Sequence, residues 1–269
     1  MGIFDGYLIC TDCDGTMTNR KGELSRENAE AIRYFQREGG LFTVATGRFP
    51  KHVGQFEADF RPNTYQVVGN GTTIYDVETG RVLHEVTMEP PEEAVRYVVE
   101  QGLCHLIFVD HLHHSVRWSD GKIGRLDMPA SDIEELFRPE EESWHKVNFC
   151  FDTPEETVRV QQLMKEKFPQ YKFERSWATG MELLPAEGGK GPAILRLKAI
   201  LGDRVRRVIG AGDYENDVSM LQVADVGYAV ANAAELCREA ADRITVDCDH
   251  HAIAAIIREL EQEAKETLR

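Results

Sequence analysis

Long apolar runs are missing from this sequence. No stretch approaches the roughly 20 consecutive apolar residues of a membrane span, and Asp5 and Gly6 interrupt the segment where a signal-peptide core would lie. Gly6 also stands where a myristoylation signal needs Ser or Thr, so neither a targeting signal nor a membrane partner is expected. An excess of basic residues is missing too. The 269 residues carry a formal net charge of -15, which disfavours nucleic acid and anionic membrane as main partners; any anionic ligand needs locally gathered positive charge. Cysteine is sparse: six, scattered along the chain, fit a reducing compartment, by default the cytoplasm, better than a disulfide framework. Cys10 and Cys13 form a C-x-x-C, but no second such pair exists to complete a zinc site, and the pair straddles a strand end instead of opening a helix as redox pairs do. Apolar packing of both thiols is the simpler expectation. Internal repeats, low-complexity tracts and long linkers are also lacking.

What is present is the composition of a soluble globular protein, 42% hydrophobic and 29% charged, in a chain long enough for two domains. Tyr7–Cys10, Leu41–Ala45 and Val205–Ile209 are short, branched segments followed by Gly-bearing turns, and read as parallel strands. Between the first two, Ser25 suits an N-cap, Ala29, Ile32 and Phe35 share a helical face, and Gly39-Gly40 stops the helix, giving a β-α-β unit. The C-terminal third repeats the rhythm, with a helix from about Tyr214, strands at Val226–Val230 and Arg243–Val246, and helices at Ala234–Ala241 and from about His250. The middle differs. After a strand at Gln66–Gly69 and a hairpin of Thr72–Tyr75 with Arg81–Val86, the pattern turns to mixed elements, among them a helix at Ser131–Phe137. The expected fold is an α/β, Rossmann-like parallel-sheet core over 1–86 and 185–269, interrupted by an α+β insert over 87–184.

Four polar clusters follow apolar strands or open helices. Asp12 and Asp14 follow the first strand; at i and i+2 on an extended segment they would point to the same side, with Gly15 turning the chain. The carboxyl ends of strands are where open α/β sheets bind ligands. Thr46-Gly47-Arg48 offers a hydroxyl, a permissive glycine and a guanidinium suited to phosphate. Lys190-Gly191-Pro192 places a lysine beside the start of a helix over Ala193–Leu201, a favourable setting for an anion. In Gly212-Asp213-Tyr214-Glu215-Asn216-Asp217 two acids stand at i and i+4 on a helix start, an invitation to a hard cation.

These motifs, with Asn70-Gly71, occur in the order in which the Cof-like sugar phosphatases of the haloacid dehalogenase superfamily carry theirs, and a cap-sized insert separates the second from the third. The chain resembles that family over nearly all of its core. The resemblance implies that Asp12 is the nucleophile, forming an aspartyl phosphate, and that Asp14 protonates the leaving alcohol and then activates water. It implies phosphate contacts from Thr46, Lys190 and Asn216, with Gly47 in the same loop, and Arg48 and Asn70 on the substrate side. Mg2+ would be held by Asp12, the Asp14 carbonyl and Asp213, with Asp217 in support. The partner would be a small phosphorylated metabolite, with the insert as a substrate-selecting cap domain; a monomer and a homodimer are equally compatible. Cys13 and Met17 depart from the family's usual larger residue and Leu without removing a reacting group. A phosphomutase of the same superfamily, or a phosphometabolite-binding protein without turnover, would use the same clusters.

Other polar groups have simpler readings. Asp247–His251 reads as helix capping by Asp249, and Asp110–His114 as an exposed turn; neither is expected to hold a metal. Glu140–Glu142 reads as a solvated loop. Asn232, after the strand ending at Val230, is expected as a supporting contact near Lys190.

Overall fold

A computed structural model of the protein describes residues 2–53, 60–122, 129–137 and 144–267; the Glu140–Glu142 run lies outside the described residues. In chain order the elements are β1 (Tyr7–Thr11), α1 (Arg26–Arg37), β2 (Leu41–Val44), α2 (Pro50–Val53), β3 (Gln66–Val68), β4 (Thr73–Asp76) and β5 (Arg81–Glu85). There follow α3 (Glu92–Glu100), β6 (Leu106–Asp110), β7 (Ser115–Ser119), β8 (Lys146–Cys150), α4 (Pro154–Lys167), β9 (Tyr171–Trp177) and β10 (Gly180–Pro185). The chain ends with α5 (Lys190–Leu201), β11 (Arg207–Gly212), α6 (Val218–Val223), β12 (Val226–Ala229), α7 (Glu235–Ala240), β13 (Arg243–Ile244) and α8 (Ala252–Thr267). Two compact units emerge, one of residues 1–84 with 189–269 and one of residues 85–188.

The first unit is built on a parallel sheet of order β13-β12-β11-β1-β2. Its central strands are near-continuous apolar runs because both faces are covered. Leu8 and Cys10 point into a core with Val208, Ile194, Leu197, Met220 and Leu221, while the alternating Ile9 and the neighbouring Phe42 are buried on the other side. There α1 packs on α8. Helix α1 forms as its sequence dictates: the Ser25 hydroxyl accepts a hydrogen bond from the Asn28 amide at 3.2 Å, and Ala29, Ile32 and Phe35 are buried. Truncating a fully buried Phe42 to Ala would cost about 3–5 kcal/mol. Ala45 extends the sheet by a single parallel bridge to Val67, from which β3-β4-β5 run antiparallel.

Several elements shift from their sequence-based bounds. Arg207–Gly212 forms β11 in place of Val205–Ile209, because the ladder with β1 runs on to Cys10 opposite Gly210 and Thr11 opposite Ala211. The expected helix from Tyr214 is a short 3-10 turn, Glu215–Asp217, leading into α6, and the one at Ser131–Phe137 is a 3-10 turn at Ile133–Phe137. Strand β13 spans only two residues.

The second unit is an antiparallel sheet of order β7-β6-β8-β10-β9. One face buries Ile107, Val109, Val147, Phe149, Met181 and Leu183 with Val95 and Val98 of α3 and Val160 and Met164 of α4. The alternate residues Asp110, Lys146, Asn148 and Glu182 form a polar face. Lys146 Nζ lies 3.1 Å from Glu182 Oε1, and Asn148 Nδ2 donates to Asp110 at 2.7 Å.

No helix among the described residues is long and apolar enough to cross a membrane. All six cysteines are free.

Candidate active site

The parallel strands of the first unit end along one edge, so the loops after β1, β2, β11 and β12 start from a shared rim. Asp12 follows β1 and keeps its amide in register, donating to the Ala211 carbonyl at 2.8 Å. Beyond it the strand breaks. Asp14 lies in a tight turn over Cys13–Met17 that is closed by Thr18, whose amide and hydroxyl both donate to the Cys13 carbonyl at 2.9 Å. The strand whose alternation set Asp12 and Asp14 on one face ends at Thr11, before either acid; Asp12 is buried, whereas the Asp14 side chain is 54% exposed. The break centres on Gly15, with φ of 75°, a left-handed conformation in which a side chain is strained. A Cβ there would also meet Asp213 Oδ2 at 2.6 Å.

Lys190 is the first residue of α5, earlier than the expected helix start at Ala193. Its side chain is fully buried, and its ammonium donates to Asp12 Oδ1 and to Asp217 Oδ1, each at 2.6 Å. The second oxygen of Asp217 accepts from the amides of Asp213 and Tyr214 at 3.0 and 3.2 Å. Asp213 Oδ1 accepts from the Thr16 hydroxyl at 3.1 Å. One ligand oxygen from each of Asp12, Asp213 and Asp217 lies within 4.8 Å of the others.

Charge in this cluster is unbalanced, because three carboxylates face one ammonium. Burial pushes the Asp12 carboxyl up to about 7, with Lys190 opposing and Asp217 and Asp14 adding to the rise. Burial, then the charges of Asp12 and Asp217, push Asp213 up to about 8. Burial alone would lower Lys190, but the two aspartates outweigh it and hold the ammonium protonated. The donor set is carboxylate oxygen without sulfur or imidazole, which suits a hard divalent cation of the Mg2+ type, and such a charge would relieve the repulsion among the acids.

The remaining residues singled out in the sequence divide into two groups. The Thr46 hydroxyl accepts from the Arg48 amide at 3.2 Å, and the Thr46 carbonyl from the Asn70 amide at 2.8 Å, tying the two loops together. Asn70 adopts a left-handed conformation, φ of 54°, and its Oδ1 accepts from Asn216 Nδ2 at 3.0 Å. A Cβ on Gly47 would stand 3.2 Å from the Asn70 amide oxygen. Asn216 Oδ1 is buried with no hydrogen-bond partner among the described residues. Thr46, Asn70 and Asn216 thus form one buried polar patch, with the half-buried Gly47 against it. Arg48 instead grips Asp14, with Nε and Nη2 each 2.7 Å from a carboxylate oxygen.

Asn232 does not bond Lys190: its Nδ2 donates to the Gly15 carbonyl at 2.9 Å and its Oδ1 accepts from the Cys248 amide at 2.8 Å. The capping residue of this segment is Asp247 and not Asp249: it is the N-cap of a turn over Cys248–His250 and accepts from the Asp249 amide, while Asp249 pairs with Arg20. The Asp110–His114 segment is a turn with His113 and His114 exposed, as expected, but His111 is buried within it and stacked on His114, ring centroids 4.6 Å apart. Cys10 and Cys13 are buried, and burial pushes both thiols far up, as packing residues require. Two supports escaped the sequence reading. Thr16 steadies Asp213, and Asn28 joins the Met17 carbonyl to the Ala254 amide, each at 3.0 Å; their partners lie too far away in sequence for spacing to reveal them.

A Rossmann-like sheet with a carboxylate at the end of one strand, a buried lysine against it and an acidic pair on a third loop gathers charge of both signs at one rim. Comparison with known proteins makes the class specific. Residues 9–257 match the profile of the haloacid dehalogenase-like hydrolases, and the chain belongs to that family, among its phosphatases. It is 26% identical to the phosphatase YwpJ of Bacillus subtilis, the alignment covering 94% of this chain and 99% of that one. It is also 26% identical to the 5-amino-6-(5-phospho-D-ribitylamino)uracil phosphatase YcsE of the same organism, over 94% of this chain and 95% of that one. A haloacid dehalogenase-like hydrolase structure from B. subtilis superposes with a TM-score of 0.79 at 24% identity, covering 94% of this chain and 99% of its own.

Proposed function

We propose that the protein is an Mg2+-dependent phosphatase that hydrolyses a small phosphorylated metabolite, a sugar or sugar-alcohol phosphate, through an aspartyl phosphate on Asp12. The observation that carries this reading is the buried Lys190 ammonium against Asp12 Oδ1 at the end of β1, with Asp213 and Asp217 gathered beside it. Phosphate monoesters resist uncatalysed hydrolysis, so an enzyme acts mainly by neutralising charge and positioning the reactants.

In this scheme an Asp12 carboxylate oxygen attacks phosphorus as the bond to the ester oxygen breaks, and Asp14 gives that oxygen its proton. Water then attacks the aspartyl phosphate, Asp14 takes the water's proton, and inorganic phosphate leaves with the Asp12 carboxylate restored. Asp12, the Asp14 carbonyl and Asp213 would hold Mg2+, with Asp217 in support; the ion supplies positive charge against the phosphate dianion. Lys190 contributes a second positive charge, and Thr46 and Asn216 bind phosphate oxygens. Asp14 begins paired with Arg48, so protonating the leaving group requires that pair to open.

The sugar-phosphate class is supported by the YcsE relative, whose named substrate bears a phosphorylated ribityl chain. Substrate selection is assigned to the second unit, residues 85–188, as a cap. The six free thiols fit a cytoplasmic setting. Phosphate release from 4-nitrophenyl phosphate with Mg2+ tests the mechanism: Asp12→Asn should abolish turnover, and near-wild-type activity in that variant would overturn it. A phosphate-release panel of sugar and polyol phosphates tests the substrate class; turnover confined to nucleotides would exclude it.

A further inference from the structure

The turn that carries Asp14 is held by a side chain from the far end of the chain. We infer that Asn232 is a positioning residue for Asp14, fixing, through the Gly15 carbonyl, the turn from which Asp14 gives and recovers its proton; the inference rests on the role proposed for Asp14 above. Asn232 uses both ends of its amide, donating from Nδ2 to Gly15 at 2.9 Å and accepting at Oδ1 from the Cys248 amide at 2.8 Å. The orientation is determined. Turning the amide over would set donor against donor at Cys248 and acceptor against acceptor at Gly15.

The anchor at the far side is itself fixed, since Cys248 opens a 3-10 turn whose N-cap, Asp247, accepts from the Asp249 amide at 3.0 Å. Arg20, just beyond the Asp14 turn, is bound to Asp249 by its backbone amide at 3.1 Å and by its guanidinium. The loop bearing Asn232 also reaches the acidic pair, because the Ala234 amide donates to the Asp213 carbonyl at 2.8 Å. One short loop therefore holds the backbone of both Gly15 and Asp213, the two residues that come within contact distance where the first and last motifs meet. A group misplaced by about 1 Å can lose roughly 10²-fold in rate. Without Asn232 the Gly15 peptide, free to rotate at a glycine, no longer sets the direction of Asp14.

A residue that only stabilises the fold would lower the melting temperature and spare the chemistry, or reduce turnover of every substrate alike. A residue that positions the general acid has a different signature, because proton donation matters more as the leaving group becomes more basic. The test compares kcat/KM for 4-nitrophenyl phosphate and for phenyl phosphate, whose phenolate is the more basic leaving group, in the full chain with Mg2+ at a temperature well below each variant's Tm. Asn232→Ala should lose roughly 10²-fold on phenyl phosphate and less than about 10-fold on 4-nitrophenyl phosphate. Asn232→Asp, which keeps the acceptor for Cys248 but sets an oxygen against the Gly15 carbonyl, should show the same imbalance. Cys248→Pro removes the amide that orients Asn232, together with a buried thiol, at a first helical position with an extended residue before it, and should fall between these variants and wild type. An equal loss on both substrates, or unchanged kcat/KM with a lowered Tm, would overturn the inference. Asp14→Asn serves as the control: if it loses activity with the same leaving-group bias while the Asn232 variants do not, the positioning role alone fails. If Asp14→Asn retains turnover, the acid/base assignment fails and the inference with it.

Discussion

Asp12 and Lys190, 178 positions apart in sequence, meet as carboxylate and ammonium at 2.6 Å, and the lysine is wholly buried. An ammonium withdrawn from water is tolerable only where carboxylates replace the lost hydration, which Asp12 and Asp217 do. Removing it leaves two buried acids facing one another. Lys190→Met should cost roughly 3–5 kcal/mol of stability at pH 8, and less at pH 5.5, where the Asp12 carboxyl, already raised by burial, takes up a proton. Its kcat should fall by about 10²–10³-fold or more. Chemical denaturation at the two pH values, with phosphate release at pH 8, checks both; a variant equally stable at both would show that the ion pair is not the source of the loss.

Asp213 and Asp217 stand at the same helix start but have different company. Both oxygens of Asp217 are engaged, one by Lys190 and one by two backbone amides, whereas among the described residues the Asp213 carboxylate accepts a single hydrogen bond, from the Thr16 hydroxyl on Oδ1. Asp213→Asn should therefore raise the Mg2+ concentration for half-maximal activity by about 10-fold or more, in keeping with loss of a direct charged ligand. Asp217→Asn should lower kcat while moving that concentration only a few-fold. A Mg2+ titration of both variants decides; equal shifts would give the two acids equal roles as ligands.

The order of the motifs and the parallel strands were readable in the sequence because both are local. Tyr7–Cys10 and Leu41–Ala45 are apolar runs of strand length, and Ser25 with Ala29, Ile32 and Phe35 spells out a capped amphipathic helix. What failed was the backbone beyond the strand ends. Strand periodicity was carried through Asp14, but the strand ends at Thr11 and Asp14 belongs to the turn that follows. The start of α5 was set at Ala193 by the proline rule, yet Lys190 itself takes the first helical position. The glycines of Gly210–Gly212 look like loop residues, but the register with β1, and for Gly212 with β12, keeps them in a strand. There, a Cβ on Gly212 would stand 2.4 Å from that of Asp217. The long-range amide links of Asn28 and Asn232 have no local signature at all.

Two arginines on the parallel sheet share one acid. Arg207 and Arg243 both reach Glu263 of α8, and each lies over the tyrosine opposite it in the neighbouring strand, Tyr7 and Tyr228. Burial alone would raise the Glu263 carboxyl, but hydrogen bonds from Arg243 and Arg207 outweigh it and hold the group below the usual range. A depressed carboxylate stabilises the fold above its unfolded pKa, near 4.3, and that contribution is lost as pH falls through the folded value. Glu263→Gln should cost about 1 kcal/mol near pH 7, a Tm drop of roughly 2–4 °C. The difference from wild type should close below about pH 4. Thermal unfolding from pH 3 to 7 measures it; a constant difference across that range would assign the effect to packing.

The acidic cluster has the opposite sign. Burial raises Asp12 to about 7 and Asp213 to about 8, so without a cation the native state retains protons that the unfolded chain has already released above about pH 4. Each additional pH unit up to about 8 then subtracts from metal-free stability, because the native state binds more protons than the unfolded one. A divalent cation reverses this by favouring the charged carboxylates, so its binding must expel protons and tighten as pH rises. The Tm difference between Mg2+-containing and EDTA-containing samples should therefore widen from pH 5.5 to pH 8, and then level off once both acids are ionised without help. Calorimetric titration with Mg2+ at pH 6.5, in buffers of different ionisation enthalpy, should register net proton release. Taking the difference between the two samples at each pH cancels the contributions of Glu263 and the other surface acids, which titrate alike in both. A gap that stayed constant over that interval would mean that the cation binds carboxylates already ionised, and that Lys190 alone overcomes the cost of burying them.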